Sequence, residues 1–269
     1  LHSLDDLKQH TRLPVLGAIP KMLLSNSTQS GLSLPFRGAS TPSIWQVINW
    51  LPFRESIDLV CKNIEMQESA TFLKSLAVTS ILPDAGKSTV ALGLAISAAR
   101  LHKRVLLIDA NFRDSSVHTQ LNLPNDLGLS TLLTAEVKIP AEKLIQTLAS
   151  NPNLAVLTAG PTPTDPAQLL SSRRMVKLIG ELEADYDLVV IDAPPLLGIV
   201  DTMLVASVCS GVVLVERLGS INRQHLTQAA TMLGQLNVVG LIPNGVHYSP
   251  DRYAPNSQAM SLQPSFKRH

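Results

Sequence analysis

The sequence predicts an α/β fold: a doubly wound, mostly parallel sheet built around a phosphate-binding loop, with an N-terminal linker segment before it and a mobile C-terminal tail after it. Three observations carry this. From Leu76 onward, six short apolar runs rich in β-branched residues follow one another, and each reads as a strand buried on both faces, as in a parallel sheet. Helix-like stretches separate them, the alternation that makes βα units. The first run leads into "SILPDAGKST", Ser80 to Thr89, which ends as a phosphate loop ends, in Gly-Lys-Ser-Thr.

Residues 1–55 differ in character from the rest. "TRLPVLGAIPK" is a short apolar segment broken by Pro14 and Pro20, and "SNSTQSGLSLPFRGASTPS" is polar with Gly and Pro, the composition of a loop or linker. In "ESIDLVCKNIEMQ" the residues Ile57, Val60, Cys61 and Ile64 recur at helical spacing, which predicts an amphipathic helix packed on the core. The strands then follow: "LAVTS", "RVLLID", "LAVLTAG", "LVVIDAPP", "GVVLVER" and "VVGLIPN". The longest helical stretches between them are "STVALGLAISAARLHK" and "AQLLSSRRMVKLIGELEAD". There are no tandem repeats. Residues 248–269 are polar and read as a tail. The expected division is therefore 1–55, 56–247 and 248–269.

Composition narrows the function classes. With 269 residues, 45% of them hydrophobic, the chain is long enough for one large core. Its 22 Lys+Arg against 21 Asp+Glu leave a net charge of +1, which gives no electrostatic case for nucleic acid as a partner. Cys61 and Cys209 are far apart, form no ligand cluster and fit a reducing compartment. No apolar run approaches the ~18 residues of a membrane helix, and "LHSLDDLKQH" is not a signal peptide. The chain starts at Leu1 rather than Met, so a fragment or a processed product is expected.

The chemistry gathers where strands end. Behind a buried strand and ahead of a helix opening near Ser88, the backbone N–H groups from Asp84 through Ala85 and Gly86 to Thr89 are expected to face one concavity, aided by the positive helix end. Gly86 lets the backbone approach a phosphate, Lys87 supplies a point charge and Ser88 offers a hydroxyl to Mg²⁺. "VLLIDANFR" ends its apolar run at Asp109 and "LVVIDAPP" at Asp192. Ligands of open parallel sheets sit at the carboxyl ends of strands, so both acids fall on the loop's edge. One is expected to hold the metal, directly or through water, and the other to position or deprotonate the attacking group. The loop departs from G-x-x-x-x-G-K-[ST] at its start, where Ile81 stands in place of glycine.

These residues resemble the bacterial tyrosine kinases, the cytoplasmic kinase domains of polysaccharide co-polymerases, within the MinD/ParA-like branch of P-loop NTPases. The strand ending at Asp109 with Arg113 four residues on is similar to that family's Walker A′ motif. "IDAPP" is similar to its Walker B, and a loop with Pro83 and no first glycine is similar to its Walker A. "NLAVLTAGPTPTDPAQLLSS" and "LDDLKQHTRLPVLGAIPK" also resemble family segments, the latter the linker from the membrane part. The resemblance implies ATP and Mg²⁺ as cofactors, Lys87, Asp109 and Asp192 as catalytic groups, and Ser88, Asp109 and Asp192 around the metal. It puts Asn244 where relatives contact adenine, and Tyr248 and Tyr253 as phosphoacceptors in the tail. It further implies a membrane-spanning co-polymerase part, on the same chain or a separate subunit, a homo-oligomer, and a place on the cytoplasmic face of the inner membrane of a bacterium.

The chain also departs from that pattern. Asn111 occupies the position of the second Walker A′ acid, and an amide cannot take a proton. The early helix keeps Glu55 of an E-x-x-R-x-x-R pattern but has Asp58 and Cys61 at the following positions. Only Tyr248 and Tyr253 lie in the tail, and Tyr186 is expected at a helix end before the Walker-B strand. The leading expectation is an ATP-dependent protein-tyrosine autokinase regulating polysaccharide polymerisation and export. The alternative is a nucleotide-binding or hydrolysing regulator of the same assembly with weak or no kinase activity. A MinD/ParA-like positioning ATPase fits least: the loop has apolar residues where those proteins carry an extra Lys, and "SFKRH" is too short for an amphipathic anchor.

Overall fold

The structure, a computed structural model, describes residues 11, 13–22, 42–67, 73–134 and 139–247. Among the described residues eight strands form one sheet in the order β1-β8-β7-β2-β6-β3-β5-β4. They are β1 (Ile19–Pro20), β2 (Ser75–Thr79), β3 (Val105–Asp109), β4 (Gln146–Leu148), β5 (Asn151–Leu157), β6 (Leu188–Asp192), β7 (Gly211–Arg217) and β8 (Val238–Val246). Every pairing is parallel except β4 with β5. The helices are α1 (Ile44–Asn49), α2 (Leu51–Glu65), α3 (Lys87–Arg100), α4 (Val117–Leu121), α5 (Leu129–Thr134), α6 (Pro166–Leu170), α7 (Arg173–Asp185), α8 (Asp201–Ser207) and α9 (Arg223–Leu233).

Successive strand residues point to opposite faces, and here both faces are covered. Val105 and Leu107 of β3 join the core beneath α2 and α3, while Leu106 and Ile108 join the core beneath α5, α7 and α8. A third cluster, with Ile81, Leu214, Leu241, Leu226 and Ala229, seats α9 near the phosphate loop. Helix α3 lies between the sheet and α2, which is why eleven of its fourteen residues are buried. Gly93 makes that layer possible, since a Cβ there would lie 3.1 Å from the Phe53 ring. The buried Ile57, Val60 and Ile64 form the expected inner face of α2, and the half-buried Cys61 turns toward α3. Asp58 accepts from Ser97 Oγ at 2.6 Å and pairs with Arg100, so this side chain ties α2 to α3.

The structure differs from the sequence reading in four places. Residues 13–21, read as linker, dock on the sheet edge: Leu16 N donates to Leu241 O, Leu241 N to Pro14 O and Lys21 N to Val246 O. Residues 44–49 and 51–55 are helical, on either side of an extended Trp50, and α2 runs across the expected division at residue 55. The signal was present as Ser43-x-x-Gln46, a capping box that starts α1. The stretch from Ala167 to Asp185 is two helices, because Ser172 caps α7 by accepting from Met175 N. The short β4 makes an antiparallel edge against β5. Tyr248, Tyr253 and the rest of the tail lie outside the described residues. No helix among the described residues is long and apolar enough to cross a membrane.

The docked edge depends on Gly240 of β8. A Cβ there would lie 2.6 Å from Leu16 Cγ and 2.7 Å from the backbone oxygen of Pro14. Gly240→Ala is expected to lift residues 14–16 off β8 and lower stability by about 1–3 kcal/mol, read as an earlier urea midpoint with an unchanged slope.

Candidate active site

The site begins with the turn out of β2. Asp84 has φ of +59° and Gly86 φ of +85°, so the chain makes two left-handed steps within three residues before entering α3. Such a path turns consecutive amides toward one side and aims the first turn of a helix at it, an arrangement that attracts anions. At Gly86 a side chain is excluded twice over, by the backbone angle and by Asn244, whose Nδ2 would lie 2.3 Å from a Cβ.

Side chains and backbone from three neighbouring strands hold this loop. After β6, Leu196 N donates to Ser80 O at 2.7 Å and Leu197 N to Ile81 O at 3.1 Å. Thr79 Oγ1 donates to Pro194 O at 2.6 Å. From β8, Asn244 Nδ2 donates to Ala85 O at 2.8 Å. From β7, the Glu216 carboxylic group accepts from Ile81 N. Asn244, expected beside adenine, thus grips the phosphate loop with its amide.

The two acids stand side by side. Asp109 and Asp192 are paired in register at the ends of β3 and β6, and Asp192 is also level with Val78 of β2. Both are fully buried, and Lys87 and Ser88 at the start of α3 are nearly so. Their surroundings differ. Asp109 accepts three backbone N–H groups: Asn111 at 3.1 Å on Oδ1, and Ser116 at 3.2 Å and Val117 at 3.1 Å on Oδ2. Neither oxygen of Asp192 holds a well-formed hydrogen bond, and the Ser88 hydroxyl lies beside it. Burial raises the pKa of both. At Asp192 the Asp109 charge adds to the rise, while Lys87 and the neighbouring Ser88 hydroxyl oppose it. At Asp109 the backbone amides and Lys87 oppose it.

Asn111 is buried and its Nδ2 donates to Asp114 O at 2.8 Å, which closes the turn after β3. Arg113 crosses to α8, its Nε 2.8 Å from Asp201 Oδ2, and the buried Asp201 carboxylate holds the guanidinium above its ordinary pKa. Two open cavities adjoin at Asp84, Gly86 and Thr89. One, of about 300 Å³, contains Lys87, Ser88, Asn111, Arg113 and Asp114. The other, of about 540 Å³, contains Trp50, Arg217, Asn244 and His247.

The structure therefore brings Asp84, Ala85, Gly86, Lys87, Ser88, Thr89, Asp109, Asp192 and Asn244 to one rim, while Tyr248 and Tyr253 fall outside the described residues. Tyr186 caps the end of α7 ahead of β6, at the opposite edge of the sheet. Sequence reasoning missed Glu216 and Asp201. The first sits in an apolar strand run and the second opens a short helix, and only their distant partners mark them out.

Residues 74–230 match the AAA domain family. The chain is 40% identical over 186 residues to the tyrosine-protein kinase YwqD of Bacillus subtilis, covering 68% of this chain and 77% of that one. It is 34% identical over 178 residues to the tyrosine-protein kinase etk of Escherichia coli, covering 64% of this chain and 23% of that one. The solved kinase domain of E. coli ETK superimposes with a TM-score of 0.77 at 26% identity, covering all of this chain and 99% of that one.

An unpartnered buried carboxyl sets a pH dependence. A folded pKa above the unfolded value means that the fold binds the extra proton, so stability falls as pH rises from the ordinary carboxylate range through the raised value. Asp192→Asn is expected to stabilise the protein by about 1–3 kcal/mol above neutral pH and by little near pH 4. Urea denaturation at the two pH values, without nucleotide or metal, reads the difference.

Proposed function

The chain belongs to the family of bacterial tyrosine-protein kinases, and from that premise we propose that the rim at the ends of β2, β3 and β6 transfers the γ-phosphoryl group of ATP to tyrosine. The observation that carries the reading is the meeting of Lys87, Asp109 and Asp192 around one amide-lined loop, on strands adjacent in the sheet. The loop amides and Lys87 cradle the phosphates, and the cavity beside Asn244 and Trp50 receives the nucleoside.

Mg²⁺ fits the donors present. Asp192 presents two buried oxygens with no partner, and Ser88 lies beside it. No cluster of three or more His, Cys, Asp or Glu that could hold a metal occurs among the described residues, so the ion would share its shell with phosphate oxygens and water. When bound it supplies charge neutralisation at the phosphates. Asp192 would be its protein ligand, since its lone pairs are free. Asp109, committed to three amides, fixes the turn that carries Asn111 and Arg113 and adds negative charge near the metal. Phosphoryl transfer depends chiefly on such placement and charge.

In this reading the acceptors are Tyr248 and Tyr253, reached on a second copy of the chain. The domain works at the cytoplasmic face of the inner membrane with a co-polymerase part that spans it, and regulates polysaccharide export. A second reading, a nucleotide-binding regulator with weak kinase activity, is favoured by Asn111. Its amide is tied to Asp114 O and cannot accept the proton of an attacking hydroxyl.

Incubation with γ-labelled ATP and Mg²⁺ separates the two. Label on Tyr248 or Tyr253 supports the kinase, and free phosphate alone supports the regulator. Lys87→Ala should lower either signal by about a hundredfold or more, and retained turnover would remove the loop from the chemistry. Asn111→Asp should raise turnover by about tenfold or more if the missing carboxylate limits the rate.

A further inference from the structure

Glu216 is the one acid inside an otherwise apolar strand run, Val212-Val213-Leu214-Val215, and it is only 1% exposed. One carboxyl oxygen accepts from Ile81 N, and the other is buried without a partner. Ile81 is where the phosphate loop leaves β2. Its side chain is fully buried with Leu196, Leu214 and Leu241, and its carbonyl accepts from Leu197 N. The loop entrance is thus clamped on both sides of one residue, and on one side the clamp is an ionisable group.

Burial without a counter-charge favours the neutral acid: an unpaired hydroxyl in an apolar site costs far less than an unpaired charge. Burial raises Glu216 to about 8, opposed only by the Ile81 amide. Among the described residues no ion pair reaches Glu216 from the charged or titratable groups of the neighbouring elements, Asp84 and Lys87 on the loop and α3, Asp192 on β6, Arg217 beside it on β7, and Arg223 and His225 on α9, and desolvation is the cause of the rise. Opposite it in register β8 presents Pro243.

We propose that Glu216 is a positioning residue of the nucleotide site, holding the entrance of the phosphate loop through the Ile81 amide as a neutral acid, so that loss of its proton weakens the grip on phosphate. The anion would accept the Ile81 N–H more strongly but would be held there without a counter-charge, and a negative charge behind the loop opposes the negative charge of the ligand in front of it, which outweighs the firmer bond. The role rests on the nucleotide site proposed above, yet its test separates the two.

The affinity of the purified chain for ADP with Mg²⁺ is measured by calorimetry at pH 7 and pH 9, on either side of the raised value. Glu216→Gln, which keeps the acceptor and cannot ionise, should match the wild type at pH 7 and bind about tenfold more tightly than the wild type at pH 9, the ionisation of Asp192 being common to both. Glu216→Ala should bind weakly at both, because Ile81 N loses its partner. Where that variant does not fold, the comparison of wild type with Glu216→Gln decides alone. Parallel profiles for those two overturn the role of Glu216 and leave the nucleotide site standing. Absence of ADP binding by the wild type at either pH removes the site and this role together.

Discussion

A parallel sheet covered on both faces leaves few places for polar side chains. Its strands are satisfied by their neighbours and its faces by apolar contacts, so charged groups collect where the strands stop. Here β2, β6 and β3 are adjacent, and all three release the chain at the same rim. That one constraint brings together an ammonium group and two carboxyl groups from segments far apart along the chain. Everything chemical in the molecule follows from it, including the burial that perturbs each acid.

The two acids are alike in position and unlike in circumstance. Asp109 is saturated with backbone donors and acts as the hub of a turn, while Asp192 has lone pairs to spare. The pair shows how a sheet edge divides labour between equivalent residues: the local path after each strand decides. After β3 the chain folds back over Asp109 and caps it, and Asn111 locks that fold-back through Asp114 O. After β6 the chain runs on through Pro194 and Pro195 toward the phosphate loop, and its amides go to Ser80 and Ile81 instead.

Much of this was legible in the sequence because it is local. Apolar runs that end in Asp, and a Gly-Lys-Ser-Thr between a strand and a helix, declare their place without knowledge of the rest of the chain. The alternation of Leu106 and Leu107 between the two faces follows from strand geometry alone. What escaped was long-range. Glu216 is 135 residues from the amide it accepts, and Asp201 is 88 residues from Arg113. No spacing rule reaches so far, and an acid ending "VLVE" in a run read as buried names no partner. The N-terminal segment escaped for a different reason. Pro14 and Pro20 argue against strand pairing in general, yet an edge strand tolerates proline because one side of it needs no partner.

That edge strand has a mechanical meaning. Ile19 is in register with Asn244, and the side chain of Asn244 reaches across to Ala85 in the phosphate loop. The backbone of the same residue also accepts from Leu218 N at 3.1 Å. Asn244 is therefore a hub joining the outermost strand, the end of β7 and the nest of amides. A tug on Ile19 would travel through two bonded contacts to the cradle, with no need for any rearrangement of the core between them.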